Sequence, residues 1–96
     1  MEISKDTVII KTTGYQEPFL KDISLDSLQE AVGGNIEALP VVPSAGDRLL
    51  LVDEEGKLKN DFEPNQRASA LCRHFVVGDV VLLSEADTKL FRGDET

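Results

Sequence analysis

Cysteine occurs once, at Cys72, so no disulfide can form within the chain and a secreted disulfide scaffold is excluded. Aromatic residues are few: Tyr15, Phe19, Phe62, Phe75 and Phe91 are all there are, so any core must be mostly aliphatic. Basic residues are scarce, 10 against 18 acidic ones, for a net charge of −8. Affinity for nucleic acid depends on cationic side chains displacing counterions, so direct nucleic-acid binding is disfavoured. No apolar run approaches the roughly 20 residues that span a bilayer. The opening Met1-Glu2-Ile3-Ser4-Lys5-Asp6 lacks the charged start and apolar stretch of a signal peptide. These absences together predict a reducing, soluble, cytoplasmic setting.

What is present fits one small globular unit. A length of 96 residues leaves no room for two independent cores, so the domain is expected to run over 1–96, with 93–96 as a frayed tail. A hydrophobic fraction of 41% argues against overall disorder.

The clearest local pattern is Leu25-Asp26-Ser27-Leu28-Gln29-Glu30-Ala31-Val32-Gly33-Gly34-Asn35-Ile36-Glu37. Leu25, Leu28 and Val32 share one face of a helix, with Ser24 as its N-cap and Ile23 and Leu28 spaced as a hydrophobic staple. Gly33 is expected to close the last turn in the left-handed conformation, and Gly34 to let the chain turn away. Ahead of it, Thr7-Val8-Ile9-Ile10-Lys11-Thr12 reads as a β-branched strand. Gly14-Tyr15-Gln16-Glu17-Pro18 then reads as a turn, and Phe19-Leu20-Lys21-Asp22-Ile23 as the return strand. Downstream, Asn35-Ile36-Glu37-Ala38-Leu39 alternates like a half-buried strand, and Pro40 and Pro43 bracket a loop. Arg48-Leu49-Leu50-Leu51-Val52 has the continuous apolar character of a strand inside a sheet.

Asp53-Glu54-Glu55-Gly56-Lys57-Leu58 has the composition of a hairpin turn, with Gly56 supplying a positive φ. Asn65 is placed to cap a short helix over 66–72. Phe75 to Leu83 has strand composition, broken at Gly78-Asp79 by a hairpin, sharp bend or bulge. Ser84 and Asp87 have cap spacing for a last helical turn through Leu90 and Phe91.

The order L-x-x-L-Q-x-x-V-G-G-x-I-E, apolar strand, E-E-G-K-L, P-N-x-R and a strand with G-D resembles a family of short phage, mobile-element and bacterial proteins known as a domain of unknown function. The resemblance runs over about 25–83, with Val32-Gly33-Gly34-Asn35-Ile36-Glu37 and Pro64-Asn65-Gln66-Arg67 among its anchors. It implies an origin in phage or mobile elements and brings no catalytic residue. Two stretches depart from the pattern: the loop over 40–47 is longer and richer in proline, and 67–75 lacks a glycine-containing turn.

Chemistry-bearing residues are sparse. Cys72 and His74 are the only ones of their types, and on a strand would share a face, yet zinc generally needs three or four ligands. A Cys–His nucleophile pair also needs a prepared oxyanion site, which nothing here indicates. Gly33-Gly34 follows a helix, whereas phosphate-cradling glycines precede one. Neither a metal nor another cofactor is expected. The acidic clusters Asp53-Glu54-Glu55, Asp61-Glu63 and Glu85-Asp87 suit mimicry of a phosphate backbone or a basic groove, or are solvated turns. Arg67, beside Asn65, can grip a carboxylate or phosphate with its guanidinium fork, or pin its own loop to Glu63 or another acid.

The expectation is therefore an α+β fold, a mostly antiparallel sheet with one main helix packed on it and one or two short helices. The expected function is non-catalytic: a small acidic binding protein of a phage or mobile element that captures a host defence protein with a basic surface. A housekeeping interaction or assembly module is the alternative. Candidate binding residues are Arg67, Asn65, Asp53, Glu54, Glu55, Asp61 and Glu63, and Ser24, Gly33, Gly34 and Gly56 are structural. A small anionic nucleotide is the alternative ligand, and self-association is left open.

Overall fold

The computed structural model describes residues 3–58 and 63–93; Asp61, Phe62 and positions 94–96 of the expected tail lie outside them. The elements follow in the order β1 (Val8–Ile10), β2 (Gln16–Pro18), α1 (Leu25–Val32), β3 (Ile36–Pro40), β4 (Leu49–Asp53), α2 (Gln66–Cys72), β5 (Val80–Leu82) and α3 (Glu85–Arg92). The five strands form one antiparallel sheet in the order β2-β1-β5-β4-β3. The α+β expectation holds.

Register explains how a thin sheet supports two cores. Side chains alternate between faces along each strand. Val8, Leu82, Leu50 and Leu39 form one cross-strand row, and Ile9, Val81, Leu51 and Ala38 the next. The first row joins Ile10, Val52 and Val80 against Ala68, Leu71 and Cys72 of α2. On the opposite face Leu49, Leu51, Val81 and Leu83 pack against Leu28 and Val32 of α1, with Phe91 of α3 alongside. Helices thus cover both faces, which is why β4 and β5 read as unbroken apolar runs.

The helix ends match their sequence. Ser24 Oγ accepts from Ser27 N at 3.2 Å, and Gly33 adopts φ 87° with its amide donating to the Gln29 carbonyl at 2.8 Å. Ile23 packs in the same cluster as Leu28, as the staple requires, but Leu25 stays 60% exposed rather than joining the core face. Ser84 Oγ accepts from Asp87 N at 3.0 Å at the start of α3, which runs to a full eight residues. Instead of closing a reciprocal capping box, the Ser84 amide donates to Thr7 Oγ1 at 2.8 Å, and that hydroxyl donates to Asp87 Oδ2 at 2.6 Å. Gly93, expected to fray, is the left-handed cap of α3.

Three expectations are corrected. The return strand is Gln16–Pro18, and the reverse turn lies earlier, with Gly14 N donating to the Lys11 carbonyl and Lys11 N to the Tyr15 carbonyl. Pro18 is tolerated because Phe19 N bonds Thr7 O, so ladder bonds fall at 19, 17 and 15, and position 18 points its nitrogen away from β1.

The acidic segment after β4 is not a hairpin. It turns through a short 3-10 helix over Gly56–Leu58 and leads towards α2. Gly56 is not at positive φ; it is buried, and a Cβ there would stand 2.8 Å from Val77 Cγ2. Finally, 75–79 is not strand: Gly78 takes φ 79° in a sharp bend, anchored by a Pro64–Val77 bridge, and the strand begins at Val80.

Candidate binding surface

Two grooves take in three of the residues singled out from sequence, Asp53, Glu54 and Arg67. The first lies on the α2 face where β4 ends beside the start of β3. It encloses about 190 Å³ between Leu39 and Val52 beneath and Phe75, Val76 and Val77 beside, with Glu37, Asp53, Glu54, Lys57 and His74 around it. Asp53 closes β4, and its Oδ1 accepts from Glu55 N at 3.0 Å. Glu54 donates its amide to the Asn35 carbonyl at 2.8 Å and leaves its carboxylate exposed, as does neighbouring Glu55. Phe75 is 52% exposed and Leu58 81%, and Lys57 Nζ stands 5.4 Å from the Phe75 ring centroid, within cation–π range.

The second groove, about 480 Å³, lies between the β1–β2 turn and α2. Arg67 lines it with Thr12, Thr13, Gly14 and Gln66. Its Nε is buried without a hydrogen-bond partner, and among the described residues it makes no ion pair. The expected pinning of Arg67 to Glu63 is therefore absent. Glu63 is exposed, and its carbonyl rather than its carboxylate is used, accepting from Gly78 N at 2.7 Å.

Asn65 is not a surface residue. Its side chain is 0% exposed, with Oδ1 capping α2 by accepting from Ala68 N at 3.1 Å. Its Nδ2 donates to the carbonyls of Ile10 at 3.0 Å and Gly78 at 2.9 Å. One amide thus ties helix, strand and bend together, and nothing is left to contact a ligand. Asp61 lies outside the described residues. The candidates split accordingly: Asp53 and Glu54 line the first groove and Arg67 the second, while Glu55 and Glu63 are exposed and line neither.

Cys72 and His74 do not form a pair. Cys72 ends α2 and is buried in the core, its Sγ 3.9 Å from the His74 carbonyl oxygen, while the imidazole is exposed. The chain reverses between them at Arg73, which takes φ 59° and supplies the turn that the missing glycine would have made. Among the described residues no group of three or more His, Cys, Asp or Glu side chains converges as a metal site would require. Nor is any helix there long and apolar enough to cross a membrane.

Glu37, Leu39, Val52 and Phe75 also line the groove, and the sequence alone does not mark them as candidates. The alternation of 35–39 marks Glu37 and Leu39 as sharing a face, but not that this face borders a groove. Phe75 lies 36 positions from Leu39 in the chain, and only the bend at Gly78 brings its segment alongside β4.

The fold and these surfaces define a small α+β domain with a helix-covered antiparallel sheet and two shallow polar-rimmed grooves. The chain belongs to the family described as Domain of unknown function (DUF3846), whose model matches residues 5–93. That span extends beyond 25–83 to take in β1 and α3. No curated protein and no solved structure matches the chain.

Proposed function

We propose that this chain is a non-catalytic binding protein that captures a partner protein through a basic patch on that partner. The observation that carries the reading is the first groove: Phe75, half exposed, lines it beside Leu39 and Val52, with Glu37, Asp53 and Glu54 at its edge. An apolar centre with a charged rim is the usual build of a protein interface. The charge of −8 favours a cationic counterpart, since complementary fields speed encounter. In its sharpest form the protein is encoded by a phage or mobile element, and its partner is a host defence component held stoichiometrically in the host cytoplasm.

The test has two arms. A phage restricted by a defence system is plated on cells expressing the chain or its Glu54→Lys/Glu55→Lys variant. Plaque recovery with the parent and not with the variant supports counter-defence. A partner captured equally by both proteins, in cells where plating is unchanged, supports the housekeeping assembly module instead.

A second reading is favoured by Arg67. A guanidinium without an ion pair among the described residues, in a groove also lined by Thr12 and Thr13, suits a small anionic nucleotide, and Arg67→Ala would then abolish binding while the acidic reversals left it unharmed.

A further inference from the structure

We infer that the partner of the first groove is a basic, extended segment that adds a sixth strand to the outer edge of β3; this rests on the capture reading above. The argument starts from hydrogen-bond parity. Glu54 N bonds the Asn35 carbonyl, so in the register that pairs Glu37 with Val52 and Leu39 with Leu50 the ladder bonds to β4 fall at 35, 37 and 39. Positions 36, 38 and 40 turn their backbone groups outward instead. Ile36 and Ala38 therefore offer outward amides and carbonyls, and Pro40 offers only its carbonyl.

The other sheet edge is poorer. β2 has three residues, and of its outward positions 16 and 18 only Gln16 has an N–H.

The side chains define the occupant. Glu37 and Leu39 point to the α2 face and line the groove, so every second residue of an added strand would lie against them. A lysine or arginine there lays its methylenes over Leu39 and brings its charge to Glu37 and Glu54. On the other face the new strand meets Ile36 and Ala38, which suit aliphatic residues. A second copy of this chain is disfavoured as the occupant, because pairing β3 with itself would bring two acidic rims together. Strand addition of this kind draws affinity from main-chain bonds and specificity from alternate side chains.

The probe is a peptide of about ten residues alternating lysine and valine, titrated to about 1 mM into the isotopically labelled chain, with a glutamate–valine peptide as control. The lysine peptide is expected to slow amide exchange at Ile36 and Ala38 and leave Gln16 unchanged, while the control does nothing. Ala38→Pro removes one outward donor without touching the β3–β4 ladder and should weaken binding about fivefold or more. Glu37→Lys should weaken it too, most strongly at low salt.

Weakening by Glu37→Lys with no effect of Ala38→Pro would overturn strand addition while leaving acidic capture standing. No protection at Ile36 or Ala38 at any concentration, or protection at Gln16 instead, would overturn the inference as well. So would concentration-dependent protection of β3 in the chain alone, which would make a second copy the occupant.

Discussion

Asn65 shows how one side chain can decide a local structure. Removing it leaves the first turn of α2 without its cap, and takes the buried donor from the carbonyls of Ile10 and Gly78. Loss of a cap costs about 1 kcal/mol, and an unsatisfied buried polar group about 1–3 kcal/mol. Asn65→Ala should therefore lower stability by about 2–4 kcal/mol in urea unfolding. Asn65→Asp keeps the cap acceptor but sets a buried carboxylate against two carbonyls. That raises the pKa of the introduced acid, so the defect should be largest at neutral pH and shrink as pH falls through the raised value.

Arg73 makes the opposite case. A non-glycine residue at φ 59° is strained by about 1–2 kcal/mol. Arg73→Gly relieves this at some cost in unfolded-chain entropy, and should raise stability by about 0.5–1 kcal/mol. An unchanged urea midpoint would show that Arg73 recovers its strain elsewhere.

At the scale of elements, α1 is the part most open to reading from sequence. Cap, staple, periodicity and glycine stop are all local, and all point to one answer. Gly33→Val should accordingly destabilise by about 1 kcal/mol or more, since a β-branched residue resists φ 87°. Equal thermal midpoints for the two proteins would contradict that geometry.

The acidic segment after β4 was legible as a turn but not as the right turn. Gly56 is explained by Val77, a distant residue whose approach no local pattern announces. The same holds for the site: the charges at 53–55 stand in the sequence, but the groove beside them needs β3, β4 and the 75–77 segment together. Asp79 is a further long-range link, accepting from Thr12 N and Lys11 Nζ at 3.1 Å each and so joining the β1–β2 turn to the Gly78 bend. Its hydrogen bond is the chief reason the Lys11 pKa stands above 10.5. A raised ammonium pKa contributes stability that is present below the unfolded value and lost as pH rises through the folded one. This link therefore persists throughout the neutral range.

For the whole molecule, the excess of acid bears on stability and on the partner proposed above. Among the described residues the ion pairs are Lys11 with Glu17 and Asp79, Lys21 with Glu30, and Arg92 with Asp47. Arg48 is spent inside, donating to the carbonyls of Leu83, Ser4 and Asp6 at 2.7, 2.7 and 2.9 Å. Burial lowers its pKa from the ordinary guanidinium value, against the pull of Glu85 and Asp6.

With 18 acidic residues against 10 basic ones the balance of charge is repulsive, and compact packing raises that repulsion. Exposed pairs give back only about 0–1 kcal/mol each. Raising sodium chloride from about 20 mM to about 300 mM shortens the screening length severalfold, and should raise the thermal midpoint by a few degrees. Circular dichroism suits the measurement, because Tyr15 is already 63% exposed in the folded chain and would report little. A midpoint that fell with salt would mean that the ion pairs outweigh repulsion. The same field should keep a labelled DNA duplex unbound at physiological salt. Tight duplex binding would overturn the charge argument and, with it, the choice of a basic partner.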